Sequence, residues 1–176
     1  MEYLDICDSE GNLLGIKKSK KEAHDKGLWH RAVHVWVLNS KGELLIQKRS
    51  PLVDNNSNLW DISAAGHVSA GENYTTSAIR ETEEEIGLKL SPKDFIFIGI
   101  IKRESSREGY INKEINTMYF VKMDLDPNEV KKQAEEVTEV KFIPYKELQK
   151  LIENKDSSFV QHPEEYKLLF NYLSKN

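Results

Sequence analysis

Short apolar runs separated by polar punctuation dominate the chain. Residues 3–16 read as a hairpin: Tyr3-Leu4-Asp5-Ile6-Cys7, a turn over Asp8 to Asn12, then Leu13-Leu14-Gly15-Ile16. Lys17 to Lys26 reads as a polar, basic connector. Arg31 to Leu38 is strand-like, Asn39-Ser40-Lys41-Gly42 is a turn, and Glu43 to Lys48 returns as its partner. A polar loop over Pro51 to Asn58 precedes the short strand Trp60-Asp61-Ile62-Ser63. A helix is expected from Asn73 or Tyr74 to Ile86, stopped by Gly87. Strands follow near 94–104 and 116–125, with the polar stretch Glu104 to Tyr110 as the loop between them. Pro127 opens a short helix to about Glu136, Val137 to Ile143 is a strand, and helices close the chain at about 145–154 and 163–174. The pattern is α+β, with antiparallel pairs and helices packed outside.

Composition narrows the function. A chain of 176 residues with 39% hydrophobic content fits one domain over 1–176, residues 1–28 forming its N-terminal hairpin and connector. Lys+Arg 25 against Asp+Glu 29 gives a net charge of −4, which argues against nucleic acid as a partner. No apolar run approaches the roughly 20 residues of a membrane span, and the N-terminus lacks the basic and apolar regions of a signal peptide. The single cysteine, Cys7, excludes an internal disulfide framework and a multi-cysteine zinc site. The expectation is a cytoplasmic protein with a small-molecule partner.

The chemistry sits in residues 66–88. At about 100° per residue, Glu85 lies about 40° and Glu84 about 60° to either side of Glu81, so the three form one acidic stripe. Thr75, Ala78, Ile79, Thr82 and Ile86 cluster on a separate, core-facing side. Like charges at these spacings cost an isolated helix roughly 0.2–0.5 kcal/mol per pair, and they stand toward the end where the helix dipole disfavours anions. A divalent cation reverses that sign, and carboxylate oxygens suit Mg²⁺ or Mn²⁺. Arg80 is placed to pair with Glu72 or Glu84 and so orient a carboxylate. Gly66 and Gly71 permit a tight preceding loop whose carbonyls could complete a metal shell. The bland alternative is a solvated acidic face. Against it stands the fixed spacing of Gly66, Glu72, Arg80, Glu81, Glu84, Glu85 and Gly87, matched by chance on the order of 10⁻⁸ per start position.

That spacing resembles the Nudix box, G-x5-E-x7-R-E-U-x-E-E-x-G-U, where U is a bulky aliphatic residue. Every fixed position matches and Leu88 fills the last U. Thr82 departs at the first, bringing into the core a hydroxyl that must be bonded. The resemblance implies an α/β/α sandwich with a mixed sheet and Mg²⁺-dependent hydrolysis of a nucleoside diphosphate derivative or a related small diphosphate. It implies Glu84 and Glu85 as main metal ligands, Glu81 as a further ligand or the base, and Arg80 beside them. Gly66, Glu72 and Gly87 would be structural. Many such proteins pair as homodimers, for which the N-terminal hairpin is available.

Residues 29–67 resemble a second group with the same fold, the isopentenyl-diphosphate isomerases, through Trp29-His30-Arg31-Ala32, Gly42 to Arg49, and Trp60 to His67. His30 and His67 match metal-ligand positions there. The isomerase cysteine is replaced by Ala65, and its Glu-x-Glu reads here as Asn112-Lys113-Glu114. The chain therefore resembles a hydrolase from an isomerase-like branch. A ligand-binding domain without catalysis is a third reading, opposed by the intact carboxylates.

Other candidates carry competing readings. Lys48 and Arg49, ending a strand, could hold a diphosphate or be an ordinary exposed strand end. His67 stands inside the box loop as a substrate contact or metal ligand, whereas His34 reads as a strand histidine bonded to backbone. Trp60 could stack a base or fill core. Glu114 could contact substrate as a distant base, although a loop carboxylate is the simpler account.

Overall fold

The computed structural model describes residues 2–53 and 55–175. In these, nine strands and four helices follow one another: β1 (Tyr3–Cys7), β2 (Leu13–Ser19), α1 (Lys20–Lys26), β3 (His30–Leu38), β4 (Glu43–Arg49), β5 (Trp60–Asp61), β6 (Ala64–His67), α2 (Tyr74–Ile86), β7 (Ile96–Arg107), β8 (Tyr110–Lys122), β9 (Val137–Pro144), α3 (Tyr145–Glu153) and α4 (Pro163–Leu173). The fold is the expected α+β sandwich with a mixed sheet. Strand β3 is its axis, pairing in parallel with β8 from His30↔Glu114 to Leu38↔Lys122 and antiparallel with β6 from Ala32↔His67 to Val35↔Ala64. Strand β4 carries β9 and β5.

Both faces of β3 are covered, which is why its sequence reads as an almost unbroken apolar run. Val33, Val35 and Val37 pack with Leu45, Tyr119 and Val121 on the side holding Ala78 and Ile86 of α2. Trp36 packs with Leu44, Ile46, Met118 and Phe120 on the opposite side, under Leu148 of α3 and Leu169 of α4. The second face changes character along its length. Its far half is apolar, but its near half presents His30 and His34 of β3 and Glu114 and Asn116 of β8, all buried.

A polar network fastens α4 over that boundary. Glu165 accepts hydrogen bonds from His34 Nδ1 (2.6 Å) and Trp36 Nε1 (2.9 Å). His162 Nε2 donates to Asp61 (2.8 Å), which also meets Arg49 Nη1 at 3.3 Å. His34 is therefore bonded to a side chain on a distant helix rather than to backbone. Burial pulls its imidazole down, but the charge and hydrogen bond of Glu165 more than offset this and hold it above the ordinary histidine value. Burial likewise pushes Glu165 up, and His34 with His162 and Trp36 holds it below the ordinary carboxylate value.

Four local expectations need correction. The connector 17–26 contains the end of β2 and then α1: Ser19 caps the helix by accepting from the Glu22 N–H, and Gly27 ends it at φ +59°. Glu104 to Tyr110 is not a loop but the tip of the long β7–β8 hairpin, paired out to Arg107↔Tyr110. Residues 127–136 make only a single 3₁₀ turn at Pro127–Glu129. The Gln133 N–H bonds instead to the Glu85 carbonyl (3.2 Å), so the segment is used to cover the end of α2. Ala64–His67, without strand-favouring side chains, becomes β6 by pairing with β3.

Glu165→Ala should cost about 3–5 kcal/mol in urea unfolding, because it strands His34 and the Trp36 N–H in the interior. In the intact protein the contribution of the pair is present below the ordinary histidine pKa and is lost as pH rises through the raised pKa of His34. It is also lost as pH falls through the depressed pKa of Glu165. A cost below about 1 kcal/mol, or an unchanged pH profile of stability, would show that the network does not hold α4.

Candidate functional site

The loop before α2 is tied down from two sides. Asn73 caps the helix by accepting from the Thr76 N–H (2.9 Å), and Gly87 closes its other end at φ +66°, its N–H bonding to the Glu83 carbonyl and the Leu88 N–H to that of Thr82. The N-terminal hairpin braces the loop, with Ala70 donating to the Tyr3 carbonyl (2.8 Å) and Gly71 to Asp5 (2.7 Å), and from β3 Arg31 donates to the Glu72 carbonyl (3.0 Å). Thr82 settles its hydroxyl by donating to the Ala78 carbonyl one turn back (2.6 Å).

Arg80 is the hub. It reaches the His67 carbonyl (3.1 Å) and Ser69 Oγ (3.2 Å) of the loop, Glu72 Oε2 (3.2 Å), and both Glu81 and Glu84 on its own helix. Glu72, also bonded to Ser77, is thereby fixed as the strut between loop and helix.

The three stripe carboxylates do not share one environment. Glu84 is half-exposed, whereas Glu81 and Glu85 are buried beneath β6. Glu85 accepts from the Ala65 N–H (3.1 Å) and from Gln47 Nε2 (3.0 Å). Glu81 lies directly under Gly66, where a Cβ would stand 2.0 Å from its carboxyl carbon, so only glycine leaves room. Burial pushes Glu81 up to about 7; Arg80 counters this, and Glu84 and Glu2 reinforce it. Glu85 is pushed well above the ordinary range, first by burial and then by Glu81.

On the other side of β6 a second cluster forms. His24 of α1, His30 of β3, His67 of β6 and Glu114 of β8 bring one ligand atom each within 4.8 Å of one another. His30 Nδ1 donates to the Leu28 carbonyl (2.9 Å), which leaves Nε2 a lone pair, buried and without a hydrogen-bond partner, 3.8 Å from Glu114. His24 Nδ1 meets the Lys20 carbonyl (2.7 Å), and its Nε2 lies 3.1 Å from Asn112 Oδ1. His67 Nε2 lies 3.5 Å from Glu114. Burial would push Glu114 up, but the two histidines hold it well below the ordinary value. Three imidazoles, two of them with Nδ1 pinned to a backbone carbonyl, one carboxylate and an orphaned lone pair fit a divalent cation.

The other expected residues are placed differently. Arg49 is engaged by the Asn55 carbonyl (3.0 Å) and Asp61, and Lys48 lies over the Trp60 ring, as does Lys141. Trp60 is half-buried and carries these ammonium groups on its faces. Glu114 is a buried strand residue, not a loop carboxylate. Cys7 is buried in β1, its thiol pushed up to about 11 by burial, so it is not a reactive group. Sequence spacing did not single out His24. The signal available was Ser19-x-x-Glu22 followed by Gly27, a short capped helix that would have lifted residue 24 out of a featureless connector.

Comparison with known proteins agrees with this geometry. The NUDIX domain profile matches residues 28–162. Nudix hydrolase 3 of Arabidopsis thaliana is 38% identical over 181 residues, covering 98% of this chain but only 23% of its own length. An uncharacterized Nudix hydrolase of Clostridium acetobutylicum is 38% identical over 157 residues, 88% of this chain and 75% of that protein. Isopentenyl-diphosphate Delta-isomerase 2 of Photorhabdus laumondii is 30% identical over 156 residues, 87% of this chain and 83% of its own. Among solved structures, a Deinococcus radiodurans protein superposes with a TM-score of 0.72 at 19% identity, covering 97% of this chain and 98% of its own. The MutT protein of Methanosarcina mazei gives 0.66 at 21% identity, covering 84% and 96%. These two likenesses are of fold.

Because the folded state holds a proton on Glu81 more tightly than the unfolded chain does, metal-free stability should fall as pH rises from the ordinary carboxylate range through about 7. The loss has an upper bound of about 3 kcal/mol. Glu81→Gln, melted in excess EDTA, should flatten that decline between pH 5 and 8. A parallel decline in mutant and wild type would show that Glu81 does not carry it.

Proposed function

This chain belongs to the Nudix family, and we propose that it hydrolyses, with Mg²⁺ or Mn²⁺, the diphosphate linkage of a nucleoside diphosphate derivative or related small diphosphate. The observation that carries the reading is the carboxylate stripe. Glu81 and Glu85 are both buried and both held toward their protonated forms in spite of Arg80, the Ala65 N–H and Gln47, with Glu84 beside them and Gly66 over Glu81. Glu84 and Glu85 would hold the cation, with Glu81 as further ligand or base. When bound, the divalent cation supplies Lewis acidity and neutralises phosphate charge.

In the reaction, water oxygen bonds to one phosphorus, the bridging P–O bond breaks, and the other phosphate departs with its electron pair. The water proton goes to a base. Glu81, whose carboxyl is raised by burial to about 7 in the metal-free protein, is the candidate for that role. Arg80 positions Glu81 and Glu84 and holds the loop carbonyl of His67 in place. The cluster of His24, His30, His67 and Glu114 is a second cation seat, and its nitrogen-rich donors suit Mn²⁺ or a softer transition metal better than Mg²⁺.

The histidine seat favours a second reading, isomerisation of isopentenyl diphosphate, in line with the name of one relative. Opposing it, Ala65 offers no thiol on β6 and Cys7 is buried in β1. We place the protein in the cytoplasm as a single domain with a small-molecule partner. Tyr3, Leu13, Leu14 and Ile16, exposed on the N-terminal hairpin, are the surface for a homodimer.

Phosphate and product release from nucleoside diphosphate sugars, dinucleoside polyphosphates, nucleoside di- and triphosphates and isopentenyl diphosphate, with Mg²⁺, Mn²⁺ or EDTA, tests the reaction. Metal-dependent cleavage of one class is expected. Glu84→Gln and Glu85→Gln should each lower kcat at least about 100-fold, since even outer partners of metal ligands cost 10–100-fold. Near-normal kcat with saturating metal would overturn the ligand assignment, and double-bond migration without phosphate release would establish the isomerase reading.

A further inference from the structure

A cavity of about 630 Å³ opens between the loop before β5, strand β7 and the loop joining α3 to α4. Its walls include the apolar Leu59, Phe159 and Val160 and two cations, Arg103 and Lys155. Arg103 stands directly opposite Glu114 in the β7–β8 pairing, so both side chains leave the same face of the sheet. The cavity therefore adjoins the histidine seat, with one strand spacing between them. The charge of Arg103 is also felt at His34, Tyr110 and Tyr166.

Arg103 is half-buried, yet among the described residues its guanidinium makes no hydrogen bond, ion pair or ring contact. Its neighbours do: Glu104 meets Lys113 at 3.8 Å, Lys102 lies over Trp29, and Arg107 over Tyr110. Lys155, at φ +53° just beyond α3, has no ion pair among the described residues either. Two cations with no side-chain partner among the described residues, a half-buried guanidinium and an exposed ammonium, face one space with apolar walls and attract an anion, and a guanidinium offers a phosphoryl group two parallel N–H bonds. The volume exceeds what one phosphate needs and falls within the range of small-molecule sites.

We propose that this cavity is the specificity subsite of the enzyme, in which Arg103, aided by Lys155, binds a phosphoryl group of the substrate while the organic portion lies against Leu59, Phe159 and Val160. The inference rests on the hydrolase reading for its substrate and deepens it: the substrate is a diphosphate compound with an apolar or ring-bearing group. The phosphoryl group at Arg103 is either the distal phosphate of the reacting linkage or a further phosphate on the organic portion.

The test compares wild type, Arg103→Gln, Arg103→Lys and Lys155→Gln in the full chain. Calorimetry measures the binding of inorganic pyrophosphate, ADP-ribose and adenosine 5′-monophosphate, and steady-state kinetics uses the cleaved compounds. Arg103→Gln should weaken binding tenfold or more and raise KM by a similar factor, with a smaller effect on kcat. Arg103→Lys should recover part of the loss, and Lys155→Gln should show a lesser one. A defect toward pyrophosphate assigns the distal phosphate; one confined to the organic phosphates assigns the further phosphate. Dissociation constants within twofold of wild type in Arg103→Gln, or no binding of any probe by wild type at millimolar concentration, overturn the subsite. Failure of the hydrolase reading shows separately, as absent metal-dependent turnover with the Arg103-dependent binding intact.

Discussion

Two buried carboxylates under a strand with no side chain in the way are the constraint around which the rest is arranged. Glu81 and Glu85 could point to water by a small rotation of α2, and the structure prevents it at several levels. The helix is fixed at both ends by Asn73 and Gly87. Its apolar side is locked into the sheet through Ala78 and Ile86. Arg80 then binds the helix to the loop that precedes it, so that loop, strand β6 and carboxylates move as one piece. The N-terminal hairpin clamps that loop through Asp5 and Tyr3, and β3 does so through Arg31.

The same strand, β6, separates two chemically different seats. Beneath it the donors are oxygens in a setting that favours protonation. Above it they are imidazoles and a carboxylate held fully ionised. Hard and softer cations sort between such environments by donor type. The family likeness is double in the same sense. The carboxylate side carries the hydrolase signature, while the histidine side is where the likeness to the isomerases is carried, and Ala65 sits between them with no reactive group.

The legible parts of the sequence were those with local rules. Helix α2 announced itself through cap, stop and acidic stripe, and β3 through an apolar run buried on both faces. What escaped depended on partners far along the chain. Polar residues from Glu104 to Tyr110 read as a loop because an exposed hairpin needs no apolar alternation to stay paired. The lysine- and glutamate-rich segment 130–136 has helical composition but is too short to sustain a helix alone, and its backbone is claimed by the end of α2. His24 was obscure for the same reason, and Glu114, though a named candidate, read more simply as a loop carboxylate. Neither lies in a spacing pattern with the other ligands, and only the β3–β8 register and a two-turn helix bring them together.

That register has a kinetic consequence. The histidine seat draws on residues 24, 30, 67 and 114, and its last member arrives on a strand laid parallel to β3 after more than 70 intervening residues. Parallel pairings of such sequence separation form slowly, because a long loop must be closed before any contact rewards it. The cluster of His24, His30, His67 and Glu114 is therefore assembled only in chains whose β3–β8 pairing has closed, so its geometry marks a completed central sheet.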